Sequence, residues 1–268
     1  MEKMDAAEKK MSRREFLAGA GGFAAGAAVG AMLGGGALNL VPSVLAAEEA
    51  KWPYPYKKLD PDVVRKAGYQ AYYDGGCMYG TAVAIIGTLQ KEVGAPFTNI
   101  PLDMFRYGEG GMAGWGTLCG ALNGASAAIN LVMPKPTYAA IVGELLGWYT
   151  GFAFPSKDHD AYAKFKNQPT SACGSPLCHA SVSDWCKVAG KKVSDPERLD
   201  RCAKVTGDVA AKAVEFLNAQ VDGKFVAAWK PADEYASCME CHWGPKSMLN
   251  NEQGKMNCRP CHGDPHKK

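Results

Sequence analysis

Two copies of one five-residue pattern stand near the C-terminus, Cys238-Met239-Glu240-Cys241-His242 and Cys258-Arg259-Pro260-Cys261-His262. In such a segment the two thiols can add to the vinyl groups of a haem, and the adjacent imidazole is placed to become an axial iron ligand. The spacing predicts two haem c groups per chain. Cys238, Cys241, Cys258 and Cys261 would be the thioether anchors, and His242 and His262 the proximal ligands. With sixteen residues between the pairs, the same thiols also fit the ligand spacing of a zinc ribbon. A ribbon has no use for a histidine after each pair, yet both pairs carry one out of only five in the chain. The intervening Trp243 to Asn257 holds Gly244, Pro245, Asn250, Asn251 and Gly254 rather than alternating strands, so haem is the favoured reading.

At the other end, Ser12-Arg13-Arg14-Glu15-Phe16-Leu17 has the form of a twin-arginine export signal. It leads into Phe16 to Ala47, thirty-two residues without a charged side chain. That is long enough to span a bilayer, but Leu17 to Ala47 contains eight glycines and ten alanines, the weakly apolar composition of such signals. Val44-Leu45-Ala46 is a small-residue cleavage site, and removal after about Ala46 is expected, giving a periplasmic protein. This compartment suits haem c, which is attached on the outer side of the cytoplasmic membrane. The twin-arginine route also carries proteins that fold before export, often around a cofactor inserted in the cytoplasm. Haem c cannot be that cofactor, so a second metal centre is expected.

The leader takes five of the thirty basic and four of the twenty-seven acidic residues, leaving 25 against 23. Up to four haem propionates would reverse the small positive balance, and neither sign favours nucleic acid. Six of the ten cysteines lie outside the two motifs: Cys77, Cys119, Cys173, Cys178, Cys186 and Cys202. In an exported chain three disulfides are their simplest fate.

The body reads as all-α. Asp60-Pro61-Asp62 is a helix start, and Gly75-Gly76 separates a helix ending near Tyr73 from a second running from about Cys77 to Val93. Tyr107 to Gly116 contains five glycines, but no β-branched strand precedes it, so its partial dinucleotide fingerprint is discounted. Cys119 opens a small-residue helix reaching about Val132, where the helix dipole would favour a thiolate; a small buried thiol is the alternative. Thr137 to Tyr149 is apolar on most sides and is expected to be central, and Pro155 to Thr170 is polar loop. A short helix then holds His179 and Cys186 on one face. Pro196 to Val221 carries an apolar stripe at Leu199, Cys202, Thr206, Val209, Ala213 and Phe216. Three divisions follow: a leader at 1–46, a helical cysteine-containing domain at 47–223 and a mostly irregular di-haem segment at 224–268.

Cys119 to Gly124 spells CGAxxG, and with two C-x-x-C-H segments in one exported chain the sequence resembles the family of split-Soret cytochromes c. The resemblance covers roughly Tyr54 to His262. It implies an all-helical domain with a C-terminal di-haem segment, a homodimer, and haem planes close enough to stack. It also implies an iron–sulfur centre of 2Fe–2S type. By position its ligands match Cys77, Cys119, Cys178 and Cys202, with Cys173 and Cys186 as departures from the pattern that could substitute for Cys178 or pair as a disulfide.

The resemblance further implies histidine on the distal side of each haem. Only His159, His179 and His266 remain. His179 is the first choice because Cys178 flanks it on a helix; His266 follows the second motif too closely to suit its own haem, and His159 sits in a charged loop, where a solvated side chain is expected. Met239, Met248 and Met256 are the thioether alternatives. Two filled axial positions leave no substrate site, which makes an electron carrier the expected function. A redox enzyme reducing a small molecule at an open haem or at the cluster is the second.

Overall fold

The computed structural model describes residues 50–259 and residue 263. The leader expected at 1–46 lies outside them, as do Cys261, His262 and His266. The protein is all-α. Its helices are α1 (Pro61–Ala82), α2 (Thr88–Glu92), α3 (Gly120–Val132), α4 (Thr137–Gly151), α5 (Cys178–Ala189), α6 (Pro196–Val221) and α7 (Asp233–His242). A π-helical turn, Val83–Gly87, joins α1 to α2, and short 3-10 turns occupy Phe97–Asn99, Leu102–Gly108 and Lys157–His159. Extended pairing among the described residues is confined to isolated bridges at Leu118–Leu177, Phe154–Ser171 and Trp243–Glu252.

The start of α1 follows from its cap. Asp60 accepts from the backbone N–H groups of Asp62 at 2.8 Å and Val63 at 3.4 Å, and Pro61 occupies the first turn, where no N–H is needed. The expected break is present inside α1, where Gly76 has φ 78° and ψ −174°. That conformation is open to glycine and strained for any side chain. The chain therefore folds back, so that a Cβ at Gly80 would lie 2.9 Å from the Tyr72 backbone nitrogen.

The folded-back α1 packs along α6 through more glycine. A Cβ at Gly207 would meet the Arg65 carbonyl and stand 2.7 Å from His159 Cε1; one at Gly68 would stand 3.2 Å from the Gly207 Cα. Helix α3 docks on the second half of α1 in the same way. A Cβ at Gly120 would be 2.5 Å from Cys77 Sγ, and one at Gly124 would be 2.5 Å from the Met78 carbonyl. Around these contacts Val64, Ile85, Ile86, Leu89, Leu122, Ile129, Ile141, Leu145, Val209, Val214 and Leu217 form one apolar core.

Two expectations are corrected. Helix α4 is not central: it buries Ile141, Leu145, Gly147 and Tyr149 and leaves Ala139 and Ala140 exposed. Helix α6 holds that place, buried on nearly all sides from Asp200 to Leu217 and including Asp200, Arg201, Lys204 and Asp208. Its predicted stripe holds at Thr206, Val209 and Ala213, while Leu199 is exposed. Asp200, Lys204 and Asp208 entered the interior with counter-charges beside them, which apolar periodicity cannot register.

Gly76→Ala should destabilise the protein by about 1–3 kcal/mol, since it adds backbone strain and brings a methyl within 2.8 Å of Glu109 Cβ. A denaturant midpoint unchanged from wild type would show that the fold-back does not depend on this conformation.

Candidate metal and haem sites

Four cysteines lie on four elements that pack together. Cys77 begins the second half of α1, Cys119 is the N-cap residue of α3, Cys178 is the first residue of α5 and Cys202 lies on α6. Cys77 and Cys119 are buried, and Cys178 and Cys202 partly so. Burial pushes the Cys77 thiol well up, and Cys119, Cys202 and Cys178 push it further. Burial likewise raises Cys178 to about 12, followed by the influence of Cys119 and Cys202. Cys77, Cys119 and Cys178 are thus electrostatic neighbours of one another or of Cys202, and thiols so placed make ionisation of Cys77, Cys119 and Cys178 harder.

The expectation that the helix terminus would make Cys119 a thiolate is reversed. Burial raises this thiol more than the Tyr149 hydroxyl and the Ala121 N–H lower it. A dipole acting through one helical turn is a smaller effect than complete withdrawal from water.

The glycine-rich loop forms a wall around this group. The Thr117 carbonyl accepts from Cys178 N at 2.7 Å, the Gly116 carbonyl from His179 N at 3.1 Å, and Cys119 N donates to the Pro176 carbonyl at 2.9 Å. Gly111, with φ 68°, leaves space where a Cβ would stand 2.8 Å from Cys178 Cβ. The loop's glycines therefore serve close backbone approach to a cysteine rather than to a phosphate.

Of the remaining thiols, partly buried Cys173 donates to the Ser175 carbonyl at 3.0 Å. Cys186 is partly buried with Arg198 and Cys202 beside it. The nine described cysteines are free thiols. Among the described residues no three cysteine, histidine, aspartate or glutamate side chains converge at ligating distance as placed. In donor type and mutual proximity, the four thiols nevertheless suit a soft metal or an iron–sulfur core.

The first C-x-x-C-H segment ends α7, with Cys238 partly buried, Cys241 exposed and His242 at the last helical position. The chain then turns back on it. Leu249 N donates to the Cys241 carbonyl at 2.9 Å, and Asn251 N and Glu252 N donate to the His242 carbonyl at 3.1 and 3.0 Å. His242 Nδ1 lies 2.9 Å from Asn251 Oδ1. Donation from Nδ1 selects the tautomer with its lone pair on Nε2, which is the form an axial imidazole needs. Asn251 was not among the sequence candidates, and its only signal was its place in a polar linker. Cys258 lies near Cys238: partial burial raises its thiol first, then Cys238 and Glu252. The leading cysteines of both motifs are therefore neighbours.

This segment is tied to the body by Glu144 on α4, which accepts from Ala228 N at 2.9 Å and Trp229 N at 2.8 Å. Between α4 and the segment is a cleft of about 220 Å³, lined by Gly143, Gly147, Trp229, Tyr235 and Met256 among others.

The histidines separate clearly. His179 is exposed on the first turn of α5. His159, expected to be solvated, is completely buried: Nε2 is 2.8 Å from Asp208 Oδ1 and Nδ1 is 2.9 Å from the Tyr162 hydroxyl. With both ring nitrogens engaged inside the helical body, His159 is a structural residue rather than a distal haem ligand. The charged sequence around it concealed this because Asp208, the group that draws it in, is forty-nine residues away.

Residues 79–216 match the family described as "Putative redox-active protein (C_GCAxxG_C_C)". The chain is 35% identical over 266 residues to the split-Soret cytochrome c of Desulfovibrio desulfuricans, with 94% of each chain covered. It also matches the solved structure of split-Soret cytochrome c from D. desulfuricans ATCC 27774, described as containing a novel iron centre. That match has a TM-score of 0.72 and 36% identity, covering 78% of this chain and 89% of that one. The family name spells Gly-Cys-Ala, whereas Cys119-Gly120-Ala121 reverses the first two residues. A side chain at position 120 would collide with Cys77 Sγ, so the order used here is the one this packing admits.

His159→Ala should cost about 1–3 kcal/mol of stability, because Asp208 loses a buried hydrogen-bond partner, and should leave the visible absorption spectrum unchanged. An altered spectrum in a protein of unchanged stability would restore His159 as a ligand.

Proposed function

This chain belongs to the redox-active family that includes the split-Soret cytochromes c, and from that premise we propose that it is an exported di-haem electron carrier with a separate iron–sulfur centre. The observation that carries the second part is that Cys77, Cys119, Cys178 and Cys202, four thiols on distinct packed elements, are electrostatic neighbours.

When bound, the haems and the centre would accept and release single electrons. Cys238 with Cys241, and Cys258 with Cys261, hold two haems covalently; His242 and His262 are the proximal ligands, and Asn251 orients the first. The adjacency of Cys238 and Cys258 supports neighbouring macrocycles. The four cysteines of the body hold the iron–sulfur centre, of 2Fe–2S type, while burial of Cys77 and Cys119 keeps water from that side. His179, exposed beside Cys178, is the foremost distal ligand, available to a haem of its own chain or of a second copy in a homodimer. Histidines on both sides leave no open position for substrate, which favours a carrier over an enzyme.

The Arg13-Arg14 leader fits this assignment, because a centre built before export calls for a route that accepts folded protein. Replacing both arginines by lysine should leave protein without covalent haem in the cytoplasm; haem-loaded periplasmic protein from that variant would exclude the route.

The deciding measurement is the absorption spectrum of the exported protein, oxidised and reduced, with haem and acid-labile sulfide quantified per chain. Two haems, a divided Soret band and sulfide are expected. A colourless zinc protein would end the assignment. In the reduced state His179→Ala should bind carbon monoxide at one haem, and binding no greater than in wild type would remove His179 as a ligand.

A further inference from the structure

Helix α6 buries four ionic side chains, and three of them have a counter-charge. Asp200 lies 3.6 Å from Lys204, which also reaches Asp160 at 3.4 Å. Asp208 lies 2.8 Å from His159 and 3.6 Å from Arg65. The fourth is Arg201, 2% exposed. Its Nη2 donates to the Ser181 hydroxyl at 2.9 Å, and its Cζ stands 6.0 Å from the centre of the Phe154 ring. Its Nε–H is buried and has no hydrogen-bond partner.

A buried guanidinium without a counter-ion is costly to fold, and one with an unused N–H is costlier still. Its neighbours, however, lie among the cysteines: Cys202 is next in sequence, and Ser181, which accepts from Nη2, stands three residues past Cys178 on α5 and also accepts from the Tyr149 hydroxyl at 2.9 Å. Neutral thiols do not compensate a cation. Thiolates bound to iron are anionic whatever the pH of the surroundings, and a core held by four of them is a net anion. Two further charged side chains border the site: Glu109, packed against Gly76 beside Cys77, and Arg198, which lies beside Cys202 and Cys186 and donates from Nε to the Val193 carbonyl.

We propose that Arg201 is the built-in counter-ion of the four-cysteine centre, with its unpaired Nε–H serving a ligand sulfur once iron is bound. This role rests on the reading that Cys77, Cys119, Cys178 and Cys202 hold an iron–sulfur centre. Arg201 would then lock the centre to the body, through Ser181 and Tyr149, whose hydroxyls are 2.9 Å apart, and would raise its reduction potential by favouring the more negative, reduced state.

The test uses the full exported chain with its haems attached, either as isolated or stripped of non-haem iron by a chelator. Arg201→Met should raise the melting temperature of the stripped form, by removing an unpaired charge, and lower that of the iron-loaded form; the midpoint potential of the centre should fall. A purely structural residue would lower both melting temperatures together and leave the potential in place, and that result overturns the role. Arg201→Lys keeps the charge but not the fixed fork, so it should retain the centre while losing iron to the chelator on the order of tenfold faster. Release at the wild-type rate would count against the proposal even if the methionine variant failed to accumulate. Wild-type protein without non-haem iron would overturn the centre itself, an outcome distinct from iron present with an unmoved potential.

Discussion

Cysteines on separate elements can become neighbours only if the backbones bearing them come closer than ordinary side chains permit, and glycine makes that approach throughout this fold. Gly68 and Gly207 let α1 and α6 touch, Gly120 and Gly124 let α3 settle on α1, and Gly111 admits Cys178 against the loop. Without these, Cys77, Cys119, Cys178 and Cys202 would sit on separate, spaced helices. The small residues in this chain therefore act on chemistry indirectly, through the distance between elements.

The same packing explains the charges on α6. A helix crossed by α1 on one side and covered by the 155–170 loop on another has little face left for solvent, so Asp200, Lys204 and Asp208 are enclosed with their partners. His159, Tyr162, Tyr69 and Tyr73 are drawn into that polar layer: the two tyrosines donate to Asp200 at 2.6 and 2.8 Å, and His159 meets Asp208. Such networks are stable only when each member is satisfied. Two guanidinium nitrogens of this interior lack a hydrogen-bond partner: Arg65 Nε, which still has Asp208 at 3.6 Å as counter-charge, and Arg201 Nε, beside Cys202 in the sequence.

The C-terminal segment obeys a different logic. It has little apolar burial of its own and is held by backbone donors to Glu144, by Tyr235 and by turns that close on Cys241 and His242. A chain of this kind presents its cysteines at a surface, where Cys241 is exposed, instead of enclosing them. The extremes of thiol exposure among the described residues thus fall in different parts of the chain: Cys77 and Cys119 are buried by the helices, and Cys241 is exposed at the end of α7.

Much of this was legible in the sequence because the signals were local. Asp60-Pro61 began a helix, Gly75-Gly76 broke it, and Pro196 to Val221 declared its full length, since caps, glycine conformations and helical periodicity act within a few residues. The C-x-x-C-H pattern is local too, its chemistry contained in five consecutive residues. What only the tertiary structure decided depended on distant partners: that Cys77 and Cys119 are buried while Cys178 and Cys202 are partly so; that His159 is enclosed by Asp208; and that Asn251 turns back to His242. The sequence by itself determined which side chains could bind a metal and which segments were helical. Which of those side chains meet was decided by long-range packing, because burial and charge pairing are properties of neighbours in space and leave no fixed spacing along the chain.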